Sequence, residues 1–243
     1  MNLIVDIGNS LVKVAVTAGD DVVAMRAFAS PAESDICAML DEYPAVGRGI
    51  VASTGVDAGA TAERLRARGL RVLEMSPSTP VPIGNAYLTP ETLGADRLAA
   101  AVGAVALTGS RNCLIVDFGT AITVDLVTDG VFRGGNISPG VRMRFRALHD
   151  YTSRLPECSA TEVVSTLGRS TREAIEQGVM QGVTYEIEGH ISRLTEKKGD
   201  LSVIFTGGDA KYFVKRIKNT IFTNRELVIC GLNRILEYNA KIE

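Results

Sequence analysis

The chain has 243 residues, is 46% apolar and 22% charged, and carries 24 glycines. This is enough to fill one large or two small globular domains, and it excludes disordered, collagen-like and coiled-coil classes. Lysine and arginine total 26 against 28 acids, with a sequence pI of about 5.8, so charge gives no reason to expect nucleic acid or an anionic membrane as partner.

The four cysteines, Cys37, Cys113, Cys158 and Cys230, stand far apart without a CxxC pair, and the histidines are His149 and His190 alone. A structural zinc site needs a tighter set, and the spacing reads as reduced thiols of a cytoplasmic protein. Met1 to Asp6 lacks the basic start and cleavage site of a secretory signal. The longest apolar run, Leu98 to Leu107, is about half of what spans a bilayer.

An internal repeat organises the elements. Leu3-Ile4-Val5-Asp6-Ile7-Gly8-Asn9-Ser10 returns as Leu114-Ile115-Val116-Asp117-Phe118-Gly119-Thr120-Ala121. Each copy is an apolar run ending in aspartate, then a glycine turn, then a second strand (Leu11 to Val16, Ile122 to Val127). In the first half, a strand is expected over Val22 to Phe28, a helix over Pro31 to Tyr43, a strand at Gly49 to Ala52 and a helix at Ala58 to Arg68. Strand Arg71 to Glu74 follows, and Thr89-Pro90 reads as an N-cap with proline at the first helical position, opening a helix to Leu107. The polar stretch Thr108 to Asn112 divides the chain into domains 1–109 and 110–243.

The second half repeats the hairpin, adds a strand at Val131 to Asn136, and places a helix after Pro139. A long helix runs from Arg169 to Thr195, with Ile175, Val179, Val183, Ile187 and Ile191 as a buried stripe. Beside it Ala174, Gly178 and Gly182 share a four-residue spacing. Each glycine costs about 1 kcal/mol in a helix, so another backbone is expected close by, either across a dimer interface or from a strand of the same chain. Leu201 to Thr206 is a strand before Gly207-Gly208, and Glu226 to Ile229 and Gly231 to Glu237 close the chain as strand and helix.

For phosphate chemistry, no GxxxxGK[ST] occurs, and Gly47-Arg48-Gly49-Ile50-Val51-Ala52 precedes a strand where a dinucleotide motif must follow one. The two Asp-x-Gly turns remain. Their backbone N–H groups and hydroxyls make anion-binding concavities, and two of them could grip one polyphosphate from opposite sides. Asp6 and Asp117 would repel phosphates unless cations lie between, so both imply bound metal ions. A single such turn is an ordinary hairpin; the pair favours a site. In Gly94-Ala95-Asp96-Arg97 a carboxylate able to take a hydroxyl proton stands beside a guanidinium fork, and a surface ion pair is the other reading of the same spacing. Asp125 lies on the polar side of its strand, with a place in the cleft and a structural place both open. His149, His190 and the cluster Lys211, Lys215, Arg216 and Lys218 read as structural or solvated positions.

The ordered set Asp6-x-Gly8-Asn9-Ser10-x-x-Lys13, Gly94-x-Asp96-Arg97, Asp117-x-Gly119-Thr120-Ala121 and Gly134-Gly135-x-Ile137-x-Pro139-Gly140, followed by Leu155-Pro156, Ser170-Thr171 and Thr206-Gly207-Gly208-Asp209, resembles the type III pantothenate kinases over nearly the whole chain. Ser10 stands where that family commonly has threonine, and Ser153 where alanine is common. The resemblance implies an α/β fold of two related ribonuclease H-like (actin-like ATPase) domains with nucleotide in the cleft between them. It implies transfer of the γ-phosphoryl group of ATP to pantothenate, giving 4'-phosphopantothenate, the first step of coenzyme A biosynthesis.

By the same resemblance Asp6, Ile7, Gly8, Asn9, Ser10, Leu11, Val12 and Lys13 form the first ATP phosphate loop. Asp6 lies close to magnesium, Thr120 contacts ATP, and Gly207-Gly208 lie near the adenosine. Asp117 resembles the ligand of a monovalent cation, K+ or NH4+. Tyr87, Gly94, Ala95, Asp96 and Arg97 form the pantothenate pocket, with Asp96 as general base and Thr171 supplied by the second subunit of a homodimer. A sugar or acetate kinase of the same superfamily and a catalytically silent regulator are the competing functions. The Gly94 to Arg97 set argues against the first, and retention of Asp6, Asp96, Asp117 and Thr120 together against the second.

Overall fold

The computed structural model describes residues 1–29, 33–55 and 58–242. The chain divides into two compact units: Met1–Arg111 with Gly130–Arg133 and the stretch from Glu226 onward, and Asn112–Asp129 with Gly134–Arg225.

In the first unit β1 (Asn2–Ile7) is buried along its whole length, as six consecutive mostly apolar residues in a central strand should be. It pairs antiparallel with β2 (Val12–Ala18) and parallel with β4 (Arg48–Ser53). β3 (Asp21–Phe28) adds to β2 and β5 (Arg71–Glu74) to β4, giving the order β3-β2-β1-β4-β5. α1 (Glu33–Glu42) and α2 (Gly59–Ala67) cover the sheet, placing Ile36, Met39, Ala62 and Leu65 on Leu3, Val5, Val14 and Val16. The first residues of the helix expected from Pro31 lie outside the described residues.

The helix expected from Pro90 is broken. Pro90–Thr92 form one 3-10 turn, Leu93 and Gly94 are extended, and α3 (Ala95–Thr108) starts afresh. The break puts Asp96 in the first turn of α3, where a carboxylate is favoured by the helix dipole. A side chain on Gly94 would collide with the Asp96 carboxylate, so glycine is the residue that permits this start.

In the second unit β7 (Cys113–Phe118) pairs antiparallel with β8 (Ala121–Thr128), next to which lies β9 (Val131–Pro139). On the other side β7 pairs parallel with β10 (Ser202–Thr206), which carries β11 (Ile221–Thr223). The order β9-β8-β7-β10-β11 repeats that of the first unit, so the duplicated hairpin is the head of a duplicated fold, the actin-like ATPase α/β architecture. The first residues of β9 belong to the first unit, where β6 (Gly84–Asn85) runs parallel to Val131 and Phe132.

α4 (Val141–Asp150) and α5 (Thr171–Lys198) pack together. Ser170 caps α5 by accepting from the Glu173 N–H, and Glu173 accepts from the Arg169 N–H, a reciprocal start of the capping-box kind. The expected stripe from Ile175 to Ile191 is buried, with Phe118, Phe205 and Phe213 in the same core; Phe118 stacks on Phe213 at 4.7 Å. α6 (Ala210–Phe213) is a single turn, so the basic cluster runs on past the helix, with Lys211, Lys215 and Lys218 exposed. Arg216 instead donates to the Thr161 and Val163 carbonyls, each at 2.9 Å.

The expected strand and helix after Glu226 are one helix, α7 (Leu227–Ile242). Its β-branched start suggested a strand, but Leu227, Val228, Gly231, Leu232, Ile235, Leu236 and Asn239 are buried at helical spacing. α7 packs on α3 through facing glycines: a Cβ on Gly103 would meet the Leu227 carbonyl, and one on Gly231 the Ala99 carbonyl. Asn233 fixes the same helix to the sheet, accepting from Asn2 at 2.9 Å and Thr17 at 2.7 Å. This packing carries α7 into the first unit.

Candidate active site

The first unit gathers most of the expected site residues. At the end of β1 the chain turns with Gly8 N–H donating to the Leu11 carbonyl at 3.0 Å, and Asn9, Ser10 and Leu11 are exposed while Ile7 and Val12 are buried at the strand ends. Asp6 faces Lys13 across the β1–β2 ladder. Asp6 is 7% exposed; burial pushes its carboxyl from 3.8 up to about 6, Lys13 pulls it down, and the Asp96 charge pushes it up. The geometry therefore brings Asp6 and Asp96 into one field. The Asp96 carboxylate accepts the Arg97 N–H at 2.8 Å. Arg97 is 7% exposed, with its guanidinium carbon 5.5 Å from the Tyr87 ring centroid. A pocket of about 250 Å³ adjoins Gly94 and Ala95, with Ser53, Thr54, Ser76 and Thr92 among its lining residues.

The second unit holds the repeat of the turn. Gly119 N–H donates to the Ala121 carbonyl at 3.1 Å, a bend one residue shorter than the first, since Phe118 pairs with Ile122 where Ile7 pairs with Val12. Asp117 consequently faces Thr123, not a lysine. Thr120 is exposed, and its carbonyl accepts from Gly140 N–H at 3.1 Å at the start of α4. Gly207, with φ +88°, lies against Asp117: any side chain there would strike the Asp117 carboxylate oxygen and the Phe118 carbonyl. Thr171 stands apart from this turn. It opens α5 and lines an open groove of about 810 Å³ between α4 and α5 whose walls contain neither Asp117 nor Thr120.

A family model of the type III pantothenate kinases matches residues 2–193. The chain belongs to the type III pantothenate kinase family. It is 42% identical over 243 residues to the type III pantothenate kinase of Phocaeicola vulgatus, covering all of both chains. It is 40% identical to that of Porphyromonas gingivalis over 242 residues, 98% of each. A solved structure described as a conserved Baf family transcriptional activator from Campylobacter jejuni superposes with a TM-score of 0.65 at 20% identity, covering 98% of this chain and 99% of that one; that likeness concerns the fold alone.

This pantothenate kinase is thus a phosphotransferase of coenzyme A biosynthesis, taking the γ-phosphoryl group from ATP with a divalent metal ion and passing it to pantothenate. Among the described residues no group of three or more His, Cys, Asp or Glu could hold a metal ion unaided. Magnesium is commonly bound by one or two carboxylates together with substrate phosphates, and the buried Asp6 carboxylate at the head of the Gly8 turn is a donor of that kind. Among the described residues no helix is long and apolar enough to cross a membrane.

Several positions were not visible in the sequence or take a different role from the one expected. Phe132, fully buried, has its ring 5.9 Å from the Arg97 guanidinium carbon; its place depends on the pairing of β6 with β9, which no local pattern announces. Asp125, expected on a polar face, is 1% exposed, with Gly135 of β9 closed down on it. A Cβ on Gly178 or Gly182 would meet nothing within 4 Å, so packing against a strand of the same chain is not the reason for either glycine.

Proposed function

We propose that this pantothenate kinase performs its transfer with the acidic pair of the first unit. Asp96 takes the proton of the primary hydroxyl of pantothenate as that oxygen attacks the γ-phosphorus. Arg97, with Tyr87, Gly94 and Ala95, holds the substrate, its guanidinium fork suited to the carboxylate. The turn from Asp6 to Lys13 receives the phosphates of ATP through backbone N–H groups and the Ser10 hydroxyl, and Thr120 contacts the same nucleotide. Asp6 would hold the magnesium ion that accompanies ATP; when bound, it neutralises charge on the phosphates. Asp117 would hold K+ or NH4+. In such a transfer positioning and charge neutralisation dominate. One observation carries this reading: Asp6, buried at the head of the Gly8 turn and opposite Lys13, lies near enough to feel the charge of Asp96, so the turn that would take the phosphates and the proposed base share one site.

The direct test is product formation from pantothenate and ATP, with and without potassium. Asp117→Ala should lower activity in potassium to the level seen without added monovalent cation, and an undiminished potassium response in that variant would remove Asp117 from the site.

We read the enzyme as a cytoplasmic homodimer. Thr171, Ala174, Gly178, Gly182 and Tyr185 form an exposed stripe along α5, and glycines in open space on a helix lower its stability without benefit to the lone chain. A second subunit seated there would explain them and would bring Thr171 to its neighbour's substrate. Because a Cβ at Gly182 meets nothing, Gly182→Leu should fold normally yet sediment as a monomer, with a higher KM for pantothenate. A dimer of normal stability would place the interface elsewhere.

A further inference from the structure

We propose that Phe132 is a positioning residue for substrate recognition: with Tyr87 it forms an aromatic corner that clamps the Arg97 guanidinium from one side and so sets the direction in which that charge meets the substrate. The proposal rests on the reading of Arg97 as a pantothenate contact.

The Arg97 guanidinium carbon is 5.5 Å from the Tyr87 ring centroid and 5.9 Å from that of Phe132, both inside the range in which a cation is attracted to the ring face. The two rings are themselves 6.0 Å apart and inclined at 54°, so they present two walls at an angle. An arginine on the surface samples many rotamers; this one is 7% exposed, and its planar group is held against both walls of that corner.

The backbone delivers both rings together. Gly84 N–H donates to the Gly130 carbonyl and Ala86 N–H to the Phe132 carbonyl, each at 2.9 Å, which locks the strand leading to Tyr87 against the strand carrying Phe132. Tyr87 N–H then donates to the Asn85 side chain at 3.0 Å, turning the chain. A Cβ on Gly84 would lie 2.9 Å from Val131, so the close pairing depends on that glycine. The segment Gly130–Arg133 is thereby part of the first unit although its neighbours in sequence are not. An ordinary core phenylalanine would need no such excursion.

Steady-state kinetics on the purified enzyme test the clamp. Replacing Phe132 by pentafluorophenylalanine keeps the planar ring and reverses the negative charge of its face. It should raise KM for pantothenate about fivefold to tenfold, with KM for ATP and kcat within about twofold. Phe132→Leu should do the same or more, and Phe132→Tyr should restore the pantothenate KM. The fluorinated ring keeps the test valid if Phe132→Leu does not fold. An unchanged pantothenate KM with the fluorinated ring overturns the proposal, and so does an equal rise in both KM values, which is what general loosening would give. Arg97→Lys separates the two levels: if it leaves the pantothenate KM unchanged, the underlying assignment of Arg97 fails, whereas a raised KM there with no effect of fluorination defeats the clamp alone.

Discussion

Asp96→Asn should lower kcat by ~10²- to 10⁴-fold, the range that a positioned general base contributes, while ATP affinity stays within about twofold. The substitution is nearly isosteric. Its amide oxygen can still accept the Arg97 N–H that Asp96 now accepts at 2.8 Å, so the start of α3 keeps its local bond. What disappears is the charge and the capacity to take a proton. Removing one carboxylate from the first turn of a helix costs about 0.3–1 kcal/mol of stability, far too little to unfold the chain. The loss must then appear in the chemical step. Equilibrium nucleotide binding together with kcat measures the two separately, and near-normal turnover in the purified variant would remove Asp96 as the base. A large parallel loss of ATP affinity would mean instead that Asp96 acts chiefly through Asp6.

The repeat was legible because a buried strand ending in Asp-x-Gly is a local pattern, and its recurrence at Asp117 implied the duplicated sheets that share one strand order. The buried stripe of α5 was legible for the same reason, since helical spacing of Ile and Val is written within the element. What failed depended on contacts distant in sequence. Val228 and Ile229 favour a strand by local preference, yet Gly231 fits against the Ala99 carbonyl of α3 and the segment is a helix. Thr89-Pro90 is a sound helix start, but it gives only one 3-10 turn before the extended Leu93–Gly94 pair, and α3 restarts where Gly94 leaves room for the Asp96 carboxylate. For Asp125 the sequence left two places open, and burial under Gly135 of β9 is likewise a contact between strands. Within the candidate site Asp6 and Asp117 could be read from turn chemistry and Asp96 only from the family resemblance, whereas Phe132 and the contact of Gly207 with Asp117 arise only when separate strands meet.

Asp6→Asn should make the metal-free, nucleotide-free enzyme more stable at neutral and alkaline pH while removing its activity. The Asp6 carboxyl lies at about 6 in the folded chain against 3.8 as its ordinary value, with burial the leading cause. The folded state therefore holds the proton more tightly than the unfolded state does. Stability contributed by this group is greatest below about 4, declines as pH rises through the interval to about 6, and above that the full penalty of a buried charge remains. The shift corresponds to about 3 kcal/mol, an upper figure because local relaxation softens it. Asparagine keeps the shape without the charge, so Tm in EDTA at pH 8 should rise by several degrees, and the gain should vanish below about pH 4. Activity follows the opposite course: the charge that destabilises the empty protein is the one magnesium would meet, so kcat/KM of the native enzyme should fall as pH drops through about 6. If the asparagine variant is no more stable than the native chain at pH 8, the buried charge is already compensated without a cation, and a metal at Asp6 loses its physical basis. If stability rises as expected but activity survives, the strain is real and magnesium is held elsewhere.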